Sequence, residues 1–320
     1  MNVLIIGGTR YLGREIMLRL SERGDEVTVL NRGRTECALP DDVECVTADI
    51  TDPQTIVQAL EGPDGVAQKF DACIHMIAMD GARAAQVIDS VWGLIDHYVQ
   101  CGSTGVFMPL QRCPADETEP VDPPEPEWGG FGAKADSDQV ARDLCEEYDL
   151  PLTILRPTNI MGPGDVPIDL LGGRDPEFFQ GILDGGPITI PNLGEGLLQP
   201  GDVRDLSDAF VLAVDQPDKA GEYNISSPYA ITHNYYAELL ADAMDVDPEA
   251  RHVPVDDLIE EYEGTDRFSV RGIRFFAEHM CFTIEKARRE LGYDPKYTAE
   301  DSVEQGWQEA DWEEAVELAA

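Results

Sequence analysis

Along the first half of the chain the apolar positions change their spacing in a regular order. Aliphatic runs, Val3-Leu4-Ile5-Ile6 foremost, alternate with stretches whose apolar residues recur every three or four positions. The pattern predicts strand at 2–6, helix at 11–23, strand at 26–30, strand at 43–47 and helix at 53–61. Strand at 71–76, helix at 83–100, strand at 104–108, helix at 134–147 and strand at 151–155 follow. Such alternation requires right-handed crossovers, so the expected class is α/β, a doubly wound parallel sheet whose strand ends line one crevice. Past residue 156 the alternation loosens into helices at 175–184, 204–214, 232–245, 255–262, 283–291 and 299–317, with one short strand at Glu222 to Ile225. Residues 1–165, with contributions from about 200–226, are therefore expected to form the sheet domain, and 166–320 a smaller, mostly helical substrate-binding cap. Between 110 and 130, Pro114, Pro120, Pro123, Pro124 and Pro126 among many acids mark an extended loop over the crevice.

The first strand and helix are joined by Gly7-Gly8-Thr9-Arg10-Tyr11-Leu12-Gly13. A buried strand, a glycine turn and a helix N-terminus aim free N–H groups and a partial positive charge at one point, which suits a diphosphate. The stretch reads as the dinucleotide site of a Rossmann-like sheet. Two positions depart from the usual pattern: Arg10 replaces the middle glycine of G-x-x-G-x-x-G, and Asn31 replaces the acid that binds the adenosine ribose. Asparagine would not repel a 2'-phosphate, and Arg10, Arg32 and Arg34 supply guanidinium groups suited to it. NADP(H) is the favoured cofactor and NAD(H) the alternative; equally, those arginines could pair with Asp25, Glu36 or Asp41.

Charge adds a second constraint. Of 320 residues, 63 are acidic and 23 basic, a formal net of −40, with five lysines against eighteen arginines. The acids are spread along the chain, so a disordered acidic tail does not explain them, and concentrated salt would screen their repulsion. This composition resembles that of proteins from salt-accumulating halophiles. It argues against a nucleic-acid surface, for which Arg267, Arg271 and Arg274 are the best local candidates. The seven cysteines form no C-x-x-C pair, so neither a disulfide framework nor a metal site is expected, and a cytoplasmic location is. No apolar run approaches the ~20 residues of a membrane span.

Matches in order along the chain resemble the extended short-chain dehydrogenase/reductase superfamily, which includes NAD-dependent nucleotide-sugar epimerases and dehydratases. They are Gly7 to Gly13, Asp49-Ile50, the strand Asp71 to Ala78, Arg156 to Asp165, Asp202 to Leu206, Gly221 to Ile225 and Lys286 to Pro295. The Gly-Gly-Thr-Arg-Tyr-Leu-Gly form is similar to an atypical branch that includes chloroplast stem-loop RNA-binding proteins. The resemblance implies that Asp49 accepts from the adenine amino group, that Ile50 packs on the ring, and that Met76, Ile77, Ala78 and Pro157 lie along the cofactor. It also implies a small-molecule substrate near Asn159, Gln199, Arg204 and Arg267, and a homodimer formed through helices like 83–100 and 134–147; Gln111, directly after the expected fifth strand, could stand in for a missing group at that site. Asp49 could equally cap the following helix, and Arg204 could equally pair with an aspartate of its own turn.

Active relatives resemble one another in a Ser or Thr after the fifth strand and a Tyr-x-x-x-Lys pair, whose ammonium lowers the phenol pKa for proton exchange. Here the expected fifth strand runs into Phe107-Met108-Pro109-Leu110-Gln111, without a hydroxyl. The lysine is Lys134, and Phe131 looks like the tyrosine position with one residue deleted. Lys134 could still hold the cofactor ribose. His75, in an apolar strand, reads as a packed residue rather than a catalyst. Three functions follow: an oxidoreductase or epimerase with an atypical active site, a non-catalytic NADP-sensing protein, or an RNA-binding protein.

Overall fold

The computed structural model describes the whole chain except residues 34–38, 63–64, 122–129, 265–267 and 313–320. The first half builds β1 (Asn2–Ile6), α1 (Tyr11–Arg23), β2 (Glu26–Asn31), β3 (Val43–Thr47), α2 (Pro53–Ala59), β4 (Ala72–His75) and α3 (Gly81–Val91). β5 (Tyr98–Cys101), α4 (Gly130–Glu147), β6 (Leu152–Pro157) and β7 (Asn159–Met161) follow. The second half contains α5 (Pro176–Leu183), β8 (Ile188–Pro191), β9 (Leu197–Leu198), β10 (Pro200–Asp202), α6 (Val203–Val214), β11 (Glu222–Ile225), β12 (Ile231–Thr232) and α7 (His233–Ala243). It ends with β13 (Ala250–Val253), α8 (Val255–Tyr262), α9 (Val270–Ala277), α10 (Glu285–Leu291) and α11 (Ala299–Gln308).

Seven parallel strands form the central sheet in the order β11-β6-β5-β4-β1-β2-β3. The order reverses beside β1, and at such a switch point the loops after the strands separate to leave a crevice. β1 and β4 lie at the middle, so their short apolar runs are buried on both faces, as a parallel sheet covered by helices requires. One face packs on α1 and α6 through Ile16, Met17, Leu20, Leu206 and Phe210. The opposite face packs on α2, α3 and α4 through Ile56, Val87, Ile88 and Ala141. A separate core joins α5, α7, α8, α9 and α11 in the cap.

The expectation fails at one place that matters for the site. The helix foreseen to residue 100 stops at Val91, with Trp92 as its C-cap and Gly93 next. Residues 98–101 are then the fifth strand, and the stretch foreseen as that strand contains a single 3-10 turn, Thr104–Phe107. The apolar pattern misleads because Tyr98, Val99 and Gln100 are all wholly buried, so Gln100 hides among apolar neighbours by bonding Asp138. Val106, Phe107 and Met108 are apolar for another reason: they pack outside the sheet on Met280 and Phe282.

Candidate functional site

A cavity of about 520 Å³ opens where the order of the sheet reverses, walled by the loops after β1, β2, β4, β5 and β6. At its floor Gly7 has φ 87°, a left-handed conformation that glycine adopts without strain. A Cβ on Gly7 would stand 2.7 Å from Ile77, and one on Gly13 2.7 Å from the carbonyl oxygen of Gly7. Bare positions 7 and 13 thus let strand, turn and helix close together. Gly8 serves packing under the turn, where a Cβ would lie 2.7 Å from Ile5. Arg10 is the N-cap of α1 in extended conformation and makes no side-chain cap bond. Tyr11, Leu12 and Gly13, the first turn of α1, line the cavity with Gly7, Thr9 and Arg10, so N–H groups without a capping side chain stand at its wall.

Tyr11 joins this turn to the cap. Its hydroxyl donates to the Gly162 carbonyl at 3.4 Å, and the Arg174 guanidinium lies 5.2 Å from its ring centre. Burial pushes its phenol above the ordinary range, so it stays protonated.

At one end of the cavity Leu30, Asn31, Arg32, Ala48 and Ile50 form the wall. The Asn31 side-chain oxygen accepts from Gly33 N at 2.6 Å and its amide nitrogen approaches Cys45 Sγ at 3.3 Å, which fixes the amide at the strand end. Arg34 lies outside the described residues. The Asp49 carboxylate accepts from Thr51 N at 3.0 Å and Thr51 Oγ1 at 2.8 Å, the turn-capping arrangement, while Asp52 caps α2. Asp49 and Ala78 are absent from the wall, whereas their neighbours Ile50 and Ile77 are part of it.

The other end is walled by Met76, Ile77, Cys101, Gly102, Ser103, Lys134, Pro157, Thr158 and Ile160. Lys134 Nζ donates to the Cys101 carbonyl at 3.3 Å. Ser103 is the residue that sequence reasoning missed: with β5 at 98–101, a hydroxyl does follow the fifth strand. Gly93, closing the preceding helix, and Gly102-Ser103-Thr104 after Tyr98-Val99-Gln100-Cys101 were the available signals. His75 is buried beneath, bonded through Nδ1 to Tyr98 Oη at 2.7 Å. Burial, then the nearby Lys134 cation, push it down to about 3, so it is neutral.

Four expected residues are placed elsewhere. Phe131 does not wall the cavity; its ring lies against Gly105 and stacks on Phe275, with centroids 4.3 Å apart and planes at 20°. Gly130, four residues before Lys134, stands one helical turn from it. Gln111 is exposed beyond the cavity, its backbone N–H donating to Glu119 Oε1 at 2.6 Å. Gln199 is wholly buried, donating to the carbonyls of Ser227 at 2.8 Å and Phe282 at 3.0 Å and accepting from Phe282 N at 2.6 Å. Arg204 pairs with Asp202 at 2.7 Å, bonds Gln305 and covers the Tyr297 ring at 3.4 Å, the structural alternative for that turn. Asn159 is half-buried on β7 between two wall residues, and Arg267 lies outside the described residues.

A buried ionic cluster holds this end in place. Arg156, with no exposed surface, bonds Asp138 at 2.8 Å and Glu222 at 2.6 Å, and Gln100 donates to Asp138 at 2.8 Å. Arg142 adds bonds of 2.5 and 3.0 Å to Glu222. α4, which carries Lys134, is thereby tied to β5, β6 and β11. Burial alone would raise the Glu222 carboxyl, but hydrogen bonds and charge from Arg142 and Arg156 outweigh it and hold it at about 2.

Comparison with known proteins agrees with this architecture. Residues 3–226 match the NAD dependent epimerase/dehydratase family, and the chain belongs to that family. The chloroplast stem-loop binding protein of 41 kDa b of Arabidopsis thaliana is 27% identical over 308 residues, covering 92% of this chain and 75% of the relative. The 2-alkyl-3-oxoalkanoate reductase of Stenotrophomonas maltophilia is 25% identical, covering 95% and 97%. Among solved structures, an epimerase of Methanothermobacter thermautotrophicus has TM-score 0.77 at 18% identity over 99% of this chain and 93% of its own. A dTDP-glucose 4,6-dehydratase of Bacillus anthracis in complex with NAD has TM-score 0.75 at 18% identity over 100% and 98%. These two likenesses concern the fold.

Proposed function

We propose, on the premise of that membership, that this chain is an NADP(H)-binding oxidoreductase or epimerase of carbonyl or hydroxyl substrates whose reaction end has been rebuilt. The observation that carries the proposal is the cradle of Gly7 and Gly13 under the α1 N-terminus, continuous with a wall bearing Asn31 and Arg32. A dinucleotide fits this donor set: uncapped N–H groups for the diphosphate, apolar Ile50 for adenine, and Lys134 for the second ribose. Without a carboxylate at position 31, a 2'-phosphate meets no repulsion, and Arg32 offers it a guanidinium. When bound, the reduced nicotinamide would supply a hydride to a carbonyl carbon, and the alkoxide so formed would take its proton from water relayed through the Ser103 hydroxyl. Ser103 donates a hydrogen bond to the carbonyl oxygen, Lys134 orients the ribose by hydrogen bonding, and the apolar wall of Met76, Ile77 and Pro157 limits water.

Fluorescence titration with NADPH and NADH in molar salt tests the cofactor. NADPH is expected to bind at least about tenfold tighter, and Arg32→Ala to remove most of that preference; tighter NADH binding ends the assignment. A second reading, a cofactor-sensing protein without turnover, is favoured by Gly130 and the withdrawn Phe131, because neither offers a proton. Consumption of NADPH above background with carbonyl or nucleotide-sugar substrates excludes it. The chloroplast relative is named for stem-loop binding, but a net charge of −40 weighs against RNA here. An RNA shift at molar salt would reverse that judgement. A homodimer through α3 and α4 is part of the proposal, supported by Trp92, 47% exposed and stacked on Tyr148 at 4.8 Å; light scattering tests it.

A further inference from the structure

The cap holds a second cavity, of about 480 Å³, that shares no wall residue with the crevice of the sheet. One side of it is α5, where Pro176, Phe179 and Leu183 recur at helical spacing on one face, while Phe178 and Ile182 turn away into the cap core. The other side is Trp307, near the end of α11, and Trp312 just beyond that helix. The three rings meet at steep angles. Trp307 and Trp312 lie at 71° with centroids 4.8 Å apart, and Phe179 lies at 56° and 75° to them, 5.8 Å from each. Phe179 is buried, whereas both indoles are half-buried at the wall. Each ring face carries the negative side of the aromatic quadrupole, and non-parallel rings around one space draw in a cation whose surface is apolar.

Charge in the two lining segments has a single sign. Residues 175–184 include Asp175, Glu177 and Asp184, and residues 299–312 include Glu300, Asp301, Glu304, Glu309 and Asp311, with no lysine or arginine in either. Glu177 is itself on the wall. Arg174, the cation next to α5 in sequence, is turned to the Tyr11 ring and to Asp165. An anion meets repulsion at such a surface, and a strongly hydrated cation loses its water against the rings. A methylated ammonium covers its charge with methyl groups and meets neither obstacle.

We propose that this cavity binds a quaternary ammonium compound, held by cation–π contact with Trp307 and Trp312 beside Phe179 and attracted by the acidic segments that line it. The site stands apart from the dinucleotide crevice and does not depend on the cofactor reading above.

The test titrates the full chain in molar KCl with choline, followed by calorimetry and by tryptophan fluorescence. Saturable binding is expected, with 3,3-dimethylbutan-1-ol, the neutral isostere of choline, at least about tenfold weaker. Trp307→Leu should weaken choline about tenfold and leave NADPH affinity unchanged within about twofold. Trp307→Phe keeps a ring face and should retain most of the binding, and Trp312→Leu is read in the same way if the first leucine variant does not fold. No saturable response to choline, equal binding of the alcohol, or affinity indifferent to both tryptophans overturns the proposal. Loss of a dimer in Trp307→Leu by light scattering would give the cavity to a second copy, and choline binding that appears only on removal of residues 313–320 would give it to the end of the chain; either result overturns the proposal. Failure of the wild type to bind NADPH ends the cofactor reading and leaves this one standing.

Discussion

The cavity wall and the cap meet their polar requirements in different ways. At the wall, Gly7, Gly13 and the first turn of α1 present bare backbone to the crevice, beside the side chains of Asn31, Arg32, Ser103 and Lys134. In the cap, polar side chains bond their own surroundings: Asp169 accepts from the N–H groups of Leu171 and Gly173, and Arg174 holds the carbonyls of Ile160 and Val166. Gln199 and Arg204 behave likewise. A site made of backbone depends on where glycine permits close approach, whereas a polar side chain can do many things until its partners are known. On the proposed function, holding a dinucleotide and acting on a substrate would be separable properties of one cavity, the first resting on the turn and the second on the end at Ser103 and Lys134.

Arg156→Ala would break the comparison most severely. It leaves Asp138 buried and uncompensated and loosens α4 from the sheet, so unfolding free energy by denaturant titration should fall by about 3–5 kcal/mol. Gly13→Ala should leave the fold in place yet lower NADPH affinity by about a hundredfold, since its Cβ meets the Gly7 carbonyl and pushes strand from helix. A drop in stability without loss of affinity would place the cofactor elsewhere.

Acid sharpens the contrast on the structural side. The Glu222 carboxyl has an ordinary value of 4.5 and is held at about 2 in the folded chain. Its stabilisation is therefore complete above about pH 5 and is lost as pH falls through about 2. Between pH 6 and 2 the wild type should lose about 2 kcal/mol more than Glu222→Gln, followed by chemical denaturation. Lys134→Ala is expected to weaken NADPH by about tenfold with stability unchanged, because a lysine at a cavity wall serves a ligand more than the fold. The smallest effect is foreseen for Gln111→Ala, which keeps the backbone bond to Glu119 and should alter neither measurement by more than about 0.5 kcal/mol.

Much of the sheet was legible because parallel strands buried on both faces are short aliphatic runs, and Val3 to Ile6, Val27 to Leu30 and Ala72 to Ile74 are such runs. α1 was readable to the residue, since the glycine turn precedes it and Gly24, in left-handed conformation, closes it. β5 was not readable. Its Gln100 is polar and buried, its amide nitrogen donating to an aspartate 38 residues away, and no local pattern announces such a partner. That one misplacement hid Ser103 and made the Lys134 end of the cavity look poorer in hydroxyl groups than it is.

What the sequence determined by itself was local: the strand–turn–helix that opens the chain, the absence of an acid at position 31, the lack of a tyrosine four residues before Lys134, and the acidic surface. Each follows from residue type and spacing, because glycine conformational freedom, helix periodicity and charge act over a few residues. The tertiary structure alone decided which polar side chains remained available. Gln199 and Arg204 were drawn into bonds within the fold, Ser103 was brought to the same end of the cavity as Lys134, and Phe131 was turned onto Phe275. Those outcomes depend on contacts between segments far apart in the chain, where burial and the need to satisfy every desolvated polar group select one partner among many.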